Sequence, residues 1–219
     1  MKTIIANVEK YVQNHFSSDS SGHDWHHINR VRNLALHIQK KEGGDRILIE
    51  LGSLLHDISD HKLNGGILNI NGSEARNTLL SFGASESVAD EVKNIVDTIS
   101  YKGANVPDSP YSLEAKIIQD ADRLDAMGAI GIARTFAYGG SRNQAIYDDK
   151  ISIKLHDSFE EYAAGGTHTI NHFYEKLLLL KDRLHTQTAI NLGENRHLIM
   201  QNFLKDFFEE WNQNNIESK

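Results

Sequence analysis

What most constrains this chain is the length of its uninterrupted helical patterning. Only two prolines occur, Pro107 and Pro110, both inside KGANVPDSPYS. Elsewhere apolar residues recur at spacings of three and four, as in RVRNLALHI, DEVKNIVDTI, EYAA and NFLKDFFEEW. That period lines one face of a helix, whereas a half-buried strand would need alternation. Only IYDDKISIKL reads as a short extended piece. The expectation is an all-α bundle of roughly nine helices with a C-terminal helical extension. Breaks are expected near 17–22, 42–45, 61–72, 102–111, 139–155 and 164–169, several of them marked by GG pairs. The segment GGSRNQAIYDDK is expected to be the most mobile loop. At 219 residues the chain suits one domain, with a motif-bearing core at about 20–138 and a helical part at about 155–213.

Composition narrows the chemistry. With no cysteine, disulfides and thiolate metal sites are excluded, so any metal must be held by nitrogen and oxygen. The formal net charge is -7 and no basic run is present, which argues against binding duplex nucleic acid through its phosphates. No apolar stretch of about 18 residues exists. The start, MKTIIANVEKYVQNHF, carries charges and amides where a signal peptide would be apolar. A cytoplasmic protein is expected.

Against that background SGHDWHHINRV stands out, with His23, Asp24, His26 and His27 in five positions. On a helix over 23–40, capped by Ser20 or Ser21, His27 falls in one stripe with Val31, Leu34, Ala35 and Ile38. His26 and His37 fall on its flank. A histidine in a buried stripe must have its ring nitrogens satisfied. A hydrogen bond to a backbone carbonyl would do so, and so would a local zinc pair of His23 with His27.

Two further segments favour a shared explanation. RILIELGSLLHDISD is nearly continuously apolar from Ile47 to Leu55, hence a buried helix, and ends in His56 and Asp57. Asp60 shares a face with His56, and Gly52 with Ser53 would let another helix approach. In EAKIIQDADRLDAMGAIGIAR, Asp122 lies in a row with Ala115, Ile118, Ala126, Ala129 and Ala133, with Asp125 near its edge. A carboxylate among alanines costs several kcal/mol unless a cation or donors offset it. Two histidines and two aspartates on three inward faces point to one metal site.

The order His, His-Asp, Asp resembles the HD-domain superfamily of metal-dependent phosphohydrolases. DWHHINRV, LLHDISD, DADRLDAMGAIGIARTFAYGG and HFYEKLLLLKDRL are similar to the bacterial YedJ/YpgQ type of HD protein, over roughly residues 20 to 211. The resemblance implies His27, His56, Asp57 and Asp122 as metal ligands, with His23 and Asp24 as orienting or capping residues. It also implies a hydrolase acting on nucleotides, converting (deoxy)nucleoside triphosphates to monophosphate and pyrophosphate. Nucleotide 5′-phosphomonoesterase or phosphodiesterase activity remains an alternative, as does a nucleotide-sensing signalling domain.

Two imidazoles and two carboxylates suit Mn²⁺ first, then Mg²⁺, Ni²⁺, Co²⁺ or Fe²⁺. Binuclear relatives carry extra histidines between the HD pair and the last aspartate. Here only His61 lies between 58 and 121, so a single ion is expected. Asp60 stands near where the related (p)ppGpp hydrolases carry an acidic pair, of which Asp60-His61 keeps half. It is the candidate catalytic base or water orienter. Arg30, Lys62, Arg123 and Arg134 are candidate phosphate-binding cations, with Arg30 and Lys62 the favoured pair. Asp125 is a candidate for hydrogen bonding a ribose or metal-bound water. His172 either lines the pocket or packs at a helix end. A small-molecule nucleotide is the expected partner, and a homodimer is compatible with the chain.

Overall fold

A computed structural model describes residues 1–17, 24–58, 71–99, 105, 108, 110–155 and 167–212. Among them the elements are α1 (Lys2–His15), α2 (Trp25–Glu42), α3 (Arg46–Leu55), α4 (Asn71–Ser81), α5 (Glu86–Ile99), α6 (Leu113–Asp125) and α7 (Gly128–Ser141). There follow α8 (Thr169–Glu175), a 3-10 helix (Leu177–Arg183) and the long α9 (Gln187–Trp211). The described residues contain no strand, so the fold is all-α as the periodicity requires. None of its helices is long and apolar enough to cross a membrane.

Helices α2, α3, α5 and α6 pack against one another as the centre of the bundle. Each begins where sequence chemistry allows. The Asp24 carboxylate caps α2 by accepting from the His27 amide at 2.9 Å. Asp45 caps α3 and Ser112 caps α6, so backbone donors that would otherwise be orphaned are satisfied. Helix α3 is buried at every position from Ile49 to Leu55. Its Gly52 matters: a Cβ there would lie 2.6 Å from Ile118 Cδ1, so α6 reaches the close approach expected of the Gly52–Ser53 pair.

Two apolar clusters flank this centre. One gathers Val31, Ile49, Ile117, Ile118, Phe173 and Met200. The other gathers Val8, Val12, Ile28, Leu51, Leu55 and Val96. Each fully buried Ile, Leu or Phe contributes about 1.5–3 kcal/mol, and α2 and α3 supply both clusters. The helices that carry the histidines are thus anchored on both sides, as is α5. Glu50, mostly buried on α3, is matched by Arg32 of α2, which also pairs with Glu9 of α1 at 3.1 Å.

Four expectations need correction. The chain turns at Phe82–Ser85, where Gly83 takes φ +82, dividing one apparent helix into α4 and α5. Asp122 does not lie on one continuous helix with Ala129 and Ala133. Helix α6 ends at Asp125, Met127 is extended, and Gly128 starts α7 with φ +71, leaving Ala129 and Ala133 exposed. A side chain at position 128 would be strained in φ and would press on Arg196 at 3.1 Å. IYDDKISIKL forms turns and irregular chain, not a strand. GGSRNQAIYDDK is also no free loop: α7 runs through Ser141, and Thr169 and Ile170 donate to the carbonyls of Ala145 and Ile146. Tyr147 packs edge-on against Phe208 and Trp211 of α9.

Candidate metal centre

The wheel's register holds in three dimensions. His27 is fully buried while His26 and His37 are exposed. His27 Nδ1 donates to Asp125 Oδ2 at 2.8 Å. His56, at the C-cap of α3, donates from Nδ1 to the Ser53 carbonyl at 2.8 Å. A carboxylate and a carbonyl can only accept, which assigns the proton to Nδ1 in both rings. Both Nε2 lone pairs then face inward, 3.3 Å apart.

Two carboxylates converge on the same point. Asp57 Oδ2 lies 3.3 Å from His27 Nε2 and 3.5 Å from His56 Nε2. Asp122 Oδ1 lies 3.6 and 3.9 Å from the same two atoms. His27, His56 and Asp57 offer ligand atoms all within 4.8 Å of one another. Atoms held about 2.0–2.2 Å from one ion at right or tetrahedral angles lie roughly 2.8–3.6 Å apart. The separations among His27, His56 and Asp57 fall in that range, so these three donors fit a single divalent cation, with Asp122 beside the two imidazoles at the rim. Facing lone pairs and anions beside buried imidazoles are stable only around a proton or a cation. Burial and the Arg134 charge push the His27 pKa down, but hydrogen bonds to Asp125 and Asp57 outweigh them and hold it above the ordinary value.

The cluster is closed on one side and open on the other. The side chains of His27 and His56 are 0% and 2% exposed, whereas that of Asp122 is 38% exposed. Asp122 is therefore half-exposed at the rim, not embedded among alanines. Arg30, three residues along α2 from His27, is 34% exposed at the side chain.

The other expected site residues divide. Asp125, expected to meet a ribose or a water, is itself buried and faces inward. It accepts from Arg30 Nε at 2.7 Å, Arg30 Nη2 at 3.1 Å and Arg134 Nη1 at 3.0 Å besides His27. Burial alone would raise its carboxyl, but His27, Arg30 and Arg134 hold it well below the ordinary carboxylate range. Arg30 and Arg134 therefore stand beside the centre, joined to it through Asp125. Arg123 does not join them. It is buried against Asp108 at 2.6 Å and donates to the Arg183 carbonyl, so its charge serves the packing of α6 on the segment before α9. His172 is half-buried in α8. Asp60, Lys62, His61, His23, Ser20 and Ser21 lie outside the described residues.

The partnership of His27 with Asp125 escaped the sequence reading, although a signal was there. His27 and Arg30 are spaced by three on α2, and Asp122 and Asp125 by three on α6. Such pairs lie on one face of each helix, and the two helices pack together.

Known proteins are similar to this chain in sequence and fold. The HD-domain family profile matches residues 24–127. The Bacillus subtilis protein YpgQ is 39% identical over 199 residues, covering 90% of this chain and 89% of that protein. The structure of YpgQ in complex with ADP superposes with a TM-score of 0.73 at 35% identity, over 94% of this chain and 97% of that one. A Lactobacillus plantarum protein gives a TM-score of 0.87 at 33% identity, covering 97% of this chain and 99% of its own. A Bacillus thuringiensis protein described as an HD-superfamily hydrolase gives 0.71 at 38% identity, covering 95% and 96%.

Proposed function

The chain belongs to the HD-domain family of metal-dependent hydrolases, and on that premise we propose that it cleaves (deoxy)nucleoside triphosphates to monophosphate and pyrophosphate. His27, His56, Asp57 and Asp122 would hold one divalent ion, Mn²⁺ before Mg²⁺, Ni²⁺, Co²⁺ or Fe²⁺. The observation that carries this reading is the convergence of ligand atoms from His27, His56 and Asp57, with Asp122 next to both imidazoles and both Nδ1–H groups already committed elsewhere. Bound there, the ion supplies Lewis acidity towards a phosphoryl oxygen and acidifies water.

The chain's own groups do the rest. The Ser53 carbonyl and Asp125 keep the two imidazoles in the tautomer that presents Nε2. The open rim at Asp122 admits a charged substrate, while α3 excludes water from the opposite side. Asp125 takes two of the five N–H donors on Arg30, so that guanidinium has further donors for phosphate oxygens. Lys62 would act with it on the leaving pyrophosphate, and Asp60 would accept the proton from the attacking water. Positioned cations contribute most where charge develops on the leaving group. The ADP complex of YpgQ supports a nucleotide as ligand for this chain too. We read the chain as one domain, since α9 packs on both α2 and α6, and propose a cytoplasmic location for it.

The test uses Mn²⁺-loaded protein, a nucleotide panel and water labelled with heavy oxygen. Pyrophosphate release with label in the monophosphate is expected. Orthophosphate release with diphosphate left behind would refute the proposed bond and favour a terminal phosphatase. Nucleotide binding without turnover would favour a sensing domain.

A further inference from the structure

Among the groups around the centre, Asp125 engages three charged or ionisable side chains at once. Its side chain is 2% exposed. It lies between His27 on one side and the guanidiniums of Arg30 and Arg134 on the other, with contacts of 2.7 to 3.1 Å. Arg196 of α9 approaches the same corner by donating to the Leu124 carbonyl. Cationic side chains thus crowd a pocket whose donor atoms fit a cation. Like charges that close repel strongly unless something lies between them.

We propose that Asp125 is the positioning residue of the metal centre and its electrostatic insulator. It holds the His27 ring with Nε2 turned inward, and it compensates Arg30 and Arg134 so that they can stand beside a divalent ion. The inference rests on the metal-ligand reading above. It adds that residues which never touch the ion set its affinity through one carboxylate. Removing Asp125 frees the His27 ring and also leaves two guanidiniums uncompensated next to the cation. Removing Arg30 alone leaves the carboxylate in place and removes a repelling charge. The two changes therefore act on the ion in opposite directions.

The experiment is Mn²⁺ titration of full-length protein by calorimetry, with folding checked by circular dichroism. Asp125→Ala and Asp125→Asn should each lose about 10- to 100-fold in Mn²⁺ affinity, as loss of a group orienting a ligating histidine commonly does. Arg30→Ala should bind Mn²⁺ at least as tightly as the wild type. In the Arg30→Ala background the loss caused by Asp125→Ala should be smaller, a non-additivity that a purely structural role would not give. Long-range nitrogen–proton NMR on metal-free protein at alkaline pH provides a second readout. His27 should carry its proton on Nδ1 in the wild type and move towards Nε2 in Asp125→Asn. Wild-type Mn²⁺ affinity in both Asp125 variants, with affinity lost in His27→Ala, would overturn the proposal and leave the ligand set intact. Wild-type affinity in His27→Ala would overturn the ligand set itself. Additive losses together with an unchanged His27 tautomer would reduce Asp125 to a packing residue.

Discussion

Helix α6 buries two carboxylates five residues apart, and the molecule treats them in opposite ways. Asp120 is fully buried and accepts from neutral donors: the amides of His185 and Thr186 at 2.9 and 2.8 Å, and the Thr186 hydroxyl at 2.7 Å. Asp125 is as deeply buried but sits among an imidazole and two guanidiniums. Burial raises the Asp120 carboxyl above its ordinary value even though those donors pull the other way. At Asp125 burial also acts upwards, yet the cations win and lower it. At Asp120 the hydrogen bonds do not offset burial, whereas at Asp125 the added cations do. The Asp120 side tethers the start of α9 to α6, and the Asp125 side borders the candidate metal centre.

The largest expected effect separates function from fold. Asp57→Ala or His56→Ala should abolish bound metal and reduce turnover to background while the helical bundle persists. Metal analysis and circular dichroism on one preparation check this, and normal metal content in Asp57→Ala would sink the ligand assignment. On the other side of α6 the pattern should invert. Asp120→Ala strands three donors at the α9 N-terminus and should cost about 2–4 kcal/mol in denaturant unfolding, with Mn²⁺ affinity little changed. If it removed metal as well, the two faces of α6 would not be separable.

A smaller effect tests the sign of the comparison. Asp125 is depressed in the fold, so its contribution is complete above the unfolded carboxylate value of about 3.9 and drains as pH falls below it. Asp120 is raised, so its contribution is complete below that value and drains as pH rises through its folded pKa. In metal-free protein, stability measured from about pH 3 to pH 7 should rise less steeply in Asp125→Asn than in the wild type. It should rise more steeply in Asp120→Asn. Changes of the same sign in both variants would erase the contrast. The smallest effect is that of His26→Ala, whose exposed side chain should be worth no more than about 0.5 kcal/mol, with turnover kept; His27→Ala should lose it.

These contrasts also mark what the sequence could reveal. The burial of His27 over His26 and the approach of α6 at Gly52 follow from local periodicity and residue size, so both were legible. The break after Asp125 was not, because the helical pattern runs straight through Ala126 and Met127. Only Gly128, with φ +71, betrays it. The fate of Arg123 was hidden for another reason. Its partners Asp108 and Arg183 come from distant segments, and no spacing within one helix encodes such a meeting. Nothing in QDADRLD distinguishes Asp120 from its neighbours, because its partners His185 and Thr186 lie 65 and 66 residues away.

One divalent ion is expected at the meeting point of α2, α3 and the end of α6. Anomalous scattering from a crystal of the protein grown with Mn²⁺ tests it most directly. A single peak about 2.0–2.3 Å from His27 Nε2, His56 Nε2 and carboxylate oxygens of Asp57 and Asp122 is predicted. A peak ligated elsewhere, or none at this point in protein that hydrolyses nucleotides with Mn²⁺, would contradict it.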